Sequence, residues 1–122
     1  MNHELKAQHM ERITDPTAVR CYEQLCAACE SRMEGMSDQD QMMIADIATM
    51  EQLKQQLFED IRQRGVIETW SNGRQRGKRE NKSIATARML MEQQRKHLSE
   101  LRLTPNSRKA AHVPLNDEFD DF

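Results

Sequence analysis

The sequence predicts a mainly α-helical fold: an antiparallel helical hairpin with a long second helix, a short basic hairpin or loop, a third helix and a disordered acidic tail. Three observations predict it. Apolar residues recur at steps of three and four in three separate stretches, the spacing of one face of a helix. Residues that start or stop helices bound each stretch. Charge also changes sign along the chain, from net -7 over residues 1–61 to +9 over 62–109 and -4 over 110–122, so the segments suit different partners.

Composition limits what such a chain can do. Its 122 residues hold one domain, or a small domain and a tail. With 37% hydrophobic, 4% aromatic and 31% charged residues and a mean hydropathy of -0.89, it has little apolar surface to bury. Packing between copies is expected to supply the rest. No run approaches the roughly 18 apolar residues of a membrane span, and the start MNHELKAQHMER lacks the apolar stretch of a secretory signal. A soluble, intracellular protein with no membrane partner is expected.

Residues 1–13 are polar and unpatterned and read as a mobile arm; residues 14–110 read as the helical domain and 111–122 as the acidic tail. A helix over about 16–34 begins at Asp15-Pro16. Asp15 can accept from the free amides of the first turn, and Pro16 loses nothing where an N–H has no partner. Val19, Tyr22, Cys26, Cys29 and Met33 draw its apolar stripe, and Gly35 is expected to end it. Cys21, Cys26 and Cys29 have no nearby histidine to complete a four-ligand zinc site, so they read as reduced, buried side chains.

Ser37 with Asp40 resembles a capping box and opens a second helix over 38–64. Met43, Ile47, Met50, Leu57 and Ile61 form its main stripe, interrupted by Lys54, and are the candidate oligomerisation surface. Met42, Ile44, Leu53 and Phe58 widen it. The short Gly35-Met36-Ser37 loop makes the two helices an antiparallel pair. Gly65 closes the second helix, with Arg62 and Arg64 at its negative end.

Residues 66–82 lack helical periodicity, and Asn72-Gly73 is a two-residue turn signal after a short β-prone run. A small hairpin or an ordered loop follows from that. Asn81 or Ser83 caps a third helix over about 84–102, striped by Ile84, Ala87, Met91, Leu98 and Leu101 and faced by Arg88, Arg95, Lys96 and Arg102. Thr104-Pro105 stops it, and the tail HVPLNDEFDDF has no means of burying itself.

No catalytic set emerges: there is no phosphate-cradling glycine loop, no HExxH, no zinc spacing and no nucleophile motif. His3, His9, His97 and His112 are scattered and are expected at the surface, and Asp46, Glu51, Glu59 and Asp60 read as a solvated face. No enzyme, cofactor or metal is expected. The informative stretch is Arg74, Arg76, Lys78, Arg79 and Lys82, with Trp70 upstream and Gly73 and Gly77 interleaved. Glycines let backbone approach a phosphate, arginines grip it with forked donors, and Trp70 can anchor or stack. Arg88 and Arg95 extend this candidate DNA-binding set along the third helix. The plainer alternative is a solvated basic loop balancing the acidic helices.

From Gly65 onward, a glycine- and arginine-rich segment, an Asn81-started helix and then Leu103-Thr104-Pro105-Asn106-Ser107-Arg108 together resemble phage terminase small subunits, over roughly residues 65–110. The Leu-Thr-Pro-x-Ser-Arg ending is the most specific element, although threonine and proline there also suit a simple helix restart. Lys82 stands where the family often has proline, and Arg102 where a glycine often precedes Leu-Thr-Pro. The resemblance implies a ring-forming, non-enzymatic homo-oligomer in the host cytoplasm that binds double-stranded viral DNA. It also implies a terminase large subunit, owner of the ATPase and nuclease, as partner. Phe119 and Phe122, set among acids, are the candidate contact to that partner. A reading from another class is a helical adaptor that binds only protein, its charge asymmetry serving head-to-tail contacts.

Overall fold

A computed structural model of the chain describes residues 1–104; the acidic tail, with Phe119 and Phe122, lies outside the described residues. The chain is mainly helical with one small antiparallel sheet: α1 (His3–Met10), α2 (Pro16–Glu30), α3 (Asp38–Arg64), β1 (Ile67–Asn72), β2 (Gln75–Glu80) and α4 (Lys82–Glu100). Everything is arranged along α3. Its first half packs on α2, its second half receives the hairpin base, and α4 lies along it.

The first departure from expectation is α1, which replaces the mobile arm. This helix has no apolar stripe, so periodicity does not reveal it; polar groups dock it instead. The Asn2 side chain caps it by accepting from the Leu5 amide at 3.0 Å. Asn2 N–H donates to Gln41 Oε1 (3.0 Å), and Gln41 Nε2 donates back to the Asn2 carbonyl (2.9 Å). After α1, Gln52 binds the Thr14 and Asp15 amides and the Arg12 carbonyl, which seats Ile13 in the core.

In α2, Asp15 Oδ1 accepts from the Thr17 and Ala18 amides and Pro16 occupies the first turn, as the sequence predicts. Ala18, Tyr22, Cys26 and Cys29 face the core. The cysteines are free, and burial pushes their thiols up, Cys26 to about 11, which leaves them protonated packing groups. The helix stops at Glu30, short of the predicted 34, and Met33 is fully exposed instead of completing the stripe. Arg32 is the cause. Its guanidinium turns back to the carbonyls of Cys29, Gly35 and Leu101 (3.3, 3.2 and 2.5 Å) and pairs with Asp40 at 3.1 Å. A cation at the negative end of a helix satisfies carbonyls that would otherwise lack donors.

The bounds of α3 are those the sequence predicts. Ser37 and Asp40 form a reciprocal capping box, and Gly65, at φ 84° and ψ 177°, ends the helix in an extended positive-φ conformation that glycine alone adopts readily. Ile44, Ala45, Ile47 and Ala48 are its buried residues beside Gln41, and the two alanines let neighbouring helices approach closely. Contacts give the directions: Arg32 meets Asp40 while Asp15 meets Gln52, so α2 and α3 run oppositely. Likewise Ser83 meets Asp60 and Gln94 meets Ile47, so α4 also runs against α3.

Asn81 caps α4, whose buried residues are Ala87 and Gln94, with Leu101 just past its end. Met91, predicted in the stripe, is 43% exposed, and Gln94 takes the buried position by donating to the Ile47 carbonyl at 3.0 Å. The covered stripe is narrow because α4 packs chiefly on one helix, α3.

Candidate nucleic-acid interface

The hairpin between α3 and α4 carries most of the predicted DNA-binding residues. Its strands pair from Ile67↔Glu80 to Asn72↔Gln75, so Gly73 and Arg74 form the turn. The turn thus lies one residue beyond the predicted Asn72-Gly73. Gly73 adopts φ 61°, which suits glycine at the first central position of a type II′ turn.

Strand alternation divides the hairpin into two faces. Thr69, Ser71, Arg76 and Lys78 share the outer face. Glu68, Trp70, Gly77 and Arg79 share the inner one, and only here are side chains partly buried. Trp70 lies directly over Gly77: a β-carbon at position 77 would stand 2.7 Å from the indole Nε1. Gly77 is therefore used by the tryptophan ring, and is not free to admit a phosphate as the sequence alone suggests.

The faces also separate the cations. Arg79 donates to Glu68 at 3.0 Å, and the other Glu68 oxygen receives Arg64 at 2.6 Å. Arg64 forks onto both oxygens of Asp60 (2.7 and 2.6 Å), and Ser83 Oγ donates to the same carboxylate at 2.6 Å. The Arg64 and Ser83 hydrogen bonds hold the Asp60 carboxyl well below the usual range. On α4, Arg88 stands 3.9 Å from Glu80, and Arg95 pairs with Glu92 at 2.5 Å. Arg74, Arg76, Lys78 and Lys82 are exposed and form no ion pair among the described residues. The seven predicted cations therefore split into four unpaired and three already engaged.

Asn81 holds this arrangement together and is fully buried. Its amide donates to the Val66 carbonyl (2.7 Å), and its Nδ2 donates to the Gly65 carbonyl (3.1 Å). Its Oδ1 accepts from the Ser83 amide and from Arg64, both at 3.0 Å. The sequence reveals the cap but not the contacts to Gly65 and Val66, which depend on the hairpin closing first.

The predicted oligomerisation residues fare differently. Ile47 is 2% exposed inside the chain's own core and Met43 packs against that core, while Met50, Leu57 and Ile61 are half-buried. Besides Met1 and Met33, the exposed large apolar residues among those described are Met42, Leu53, Phe58, Val66, Ile67, Met89 and Met91. His9, expected at the surface, is buried against the Tyr22 hydroxyl at 2.7 Å. Among the described residues no cluster of histidine, cysteine and carboxylate side chains is able to hold a metal, and no helix is long and apolar enough to cross a membrane. A recess of about 330 Å³ near the start of α3 is lined by Arg32, Glu34, Asp40, Glu100 and Arg102, with the Arg32 guanidinium already committed to carbonyls and Asp40.

Fold and site together define a small, mainly helical protein that presents unpaired cations on a β-hairpin. The chain belongs to the family of phage terminase small subunits, matching the description "Phage terminase, small subunit" over residues 12–118. That span takes in α2 and α3 as well as the hairpin and α4. Membership implies a role in phage DNA packaging, with phage DNA and the terminase large subunit as the family's partners. Comparison with curated proteins and with solved structures gives no match.

Proposed function

We propose that this chain is a DNA-recognising, non-enzymatic subunit that binds double-stranded viral DNA as a homo-oligomeric ring. It delivers that DNA in the host cytoplasm to the ATPase and nuclease of the large subunit. The observation that carries the reading is the set of unpaired cations at Arg74, Arg76, Lys78 and Lys82, beside an N-terminal half of net -7. Free cations attract duplex DNA by releasing its condensed counterions, and an acid-rich body keeps that attraction local. Arg88 and Arg95 contribute after partial exchange of their carboxylate partners for phosphate, whereas Arg79 stays with Glu68.

The oligomer forms through apolar groups the single chain leaves uncovered, Leu53 and Phe58 on α3 foremost, extending over half-buried Met50, Leu57 and Ile61. Met43 and Ile47 support that surface from within. Phe119 and Phe122 dock the acidic tail on the large subunit. Replacing Arg74, Arg76, Lys78 and Lys82 with alanine weakens filter retention of duplex DNA and flattens its salt dependence by about one unit of slope per lost phosphate contact. Retention that is unchanged places the DNA surface elsewhere. The segregated charge also suits a protein-only adaptor, which retains no DNA even at low salt.

A further inference from the structure

The hairpin stands clear of the helices beyond its base. Its hydrogen bonds and ion pairs to the helical body, among the described residues, reach only Val66, Glu68 and Glu80. From Thr69 to Lys78 it is a two-stranded ribbon with both edges unpaired. Such a ribbon is only marginally stable in water and gains from a partner. Charge selects that partner. The segment from Gly73 to Arg79 carries four cations and no acid, so a second copy of the hairpin is repelled and a polyanion is attracted. The helices back the inner face through Arg64 and Glu68 and meet the outer face only at its base, where Arg88 reaches Glu80; from Thr69 to Lys78 the outer face is open.

We infer that the hairpin enters the major groove of duplex DNA as a β-ribbon, with its outer face turned to the base edges. Ser71 lies opposite Arg76 and Thr69 opposite Lys78, so two hydroxyls and two cations form a compact square of donors. Arg74, at the turn, reaches the phosphates beyond the ribbon's tip. Dimensions favour the major groove. Strands about 4.8 Å apart, clothed in side chains, fill a groove about 12 Å wide without deforming the duplex, whereas one about 6 Å wide has first to be opened. Trp70 and Arg79, on the inner face, do not touch DNA. This inference rests on the DNA-binding reading above and adds the element, the face and the groove.

The test uses the full chain and a linear random-sequence duplex. Arg76→Ala with Lys78→Ala weakens binding by about tenfold or more and lowers the salt slope by about two, whereas Arg79→Ala changes affinity by less than about threefold. Trp70 emission reports whether the hairpin survives each substitution. A second arm needs no variant: the wild-type chain binds a duplex with glucosylated 5-hydroxymethylcytosine, whose sugars fill the major groove, about tenfold or more weakly, and a minor-groove ligand such as netropsin leaves binding unchanged. Equal loss from Arg79→Ala with Trp70 emission intact overturns the assignment of faces. Netropsin displacement, or full binding to the glucosylated duplex, overturns the groove. A wild-type chain that binds no duplex at low salt removes the underlying reading along with it.

Discussion

Two thin elements are fastened to α3 by polar groups, in opposite ways. At the α1 end the buried part of the fastening is neutral: Gln41 Nε2 donates to the Tyr22 hydroxyl at 2.8 Å, and that hydroxyl shares a hydrogen bond with His9 Nδ1 at 2.7 Å. The ion pairs of the Met1 amine to Glu30, Lys6 to Glu23 and Arg12 to Asp46 lie outside it. At the hairpin end the fastening is ionic and partly exposed, running Asp60, Arg64, Glu68, Arg79 around a buried Asn81. Neutral buried hydrogen bonds ignore salt but fail when one group changes its proton count. Ion pairs near solvent tolerate acid as long as their carboxylates stay ionised, and weaken as salt screens them. The fastening nearest the proposed DNA surface thus rests mainly on ion pairs, and the one farthest from it adds a buried group, His9, that acid can charge.

The sharpest way to break this comparison is Asn81→Ala. It removes the α4 cap and the donor to Gly65, leaving buried groups unpaired, and costs about 2–3 kcal/mol in urea denaturation. A loss below about 0.5 kcal/mol means that the ions alone hold the hairpin. Tyr22→Phe comes next, at about 1–2 kcal/mol, because His9 Nδ1 and Gln41 each lose a partner in a buried site. That loss is the same at low and high salt; a strongly salt-dependent one contradicts the neutral assignment.

Acid separates the two ends further. Burial, then the nearby Arg12 charge, lowers the His9 pKa from its ordinary 6.5, against a raising effect of Asp46. Below about 6.5 the unfolded chain takes up the proton first, so stability is lost as pH falls from there toward the folded value. Asp60 is lowered in the folded state, so its contribution is present at neutral pH and is lost only in strong acid. Between pH 7 and 5, hydrogen exchange corrected for intrinsic rates quickens in α1 and not at the hairpin base. His9→Gln flattens the α1 response, and an undiminished one points to another group. The smallest effect is expected from Arg95→Ala, whose exposed pair with Glu92 spans three residues on one helix face; the melting temperature stays put.

Legibility in the sequence followed locality. The bounds of α3 rest on Ser37, Asp40 and Gly65, each acting within one turn of itself, and these are visible in the sequence. α1 was not visible, since its docking relies on Asn2 meeting Gln41 across 39 residues and on no apolar period. The clustering of cations near residue 76 was plain, but their division between faces was not. A turn at Asn72-Gly73 would put Glu68 opposite Gly77; the observed turn puts it opposite Arg79 and makes the ion pair. One residue of register decides which arginine is free. The wide apolar stripe of α3 likewise mixed residues facing the core, such as Ile47, with residues facing outward, such as Leu53 and Phe58.

α4 begins at the hairpin and ends where Arg32 grips the Leu101 carbonyl, beside the turn between α2 and α3. Its 19 residues make a strut about 28 Å long. The described chain leaves at Thr104, just past that far end. Whatever the following residues engage, they set out roughly a strut's length from the ribbon, so the subunit is two-ended. On the function proposed above, a duplex is grasped at one pole while the other is handed to a motor, and neither grip needs to loosen for the other to close.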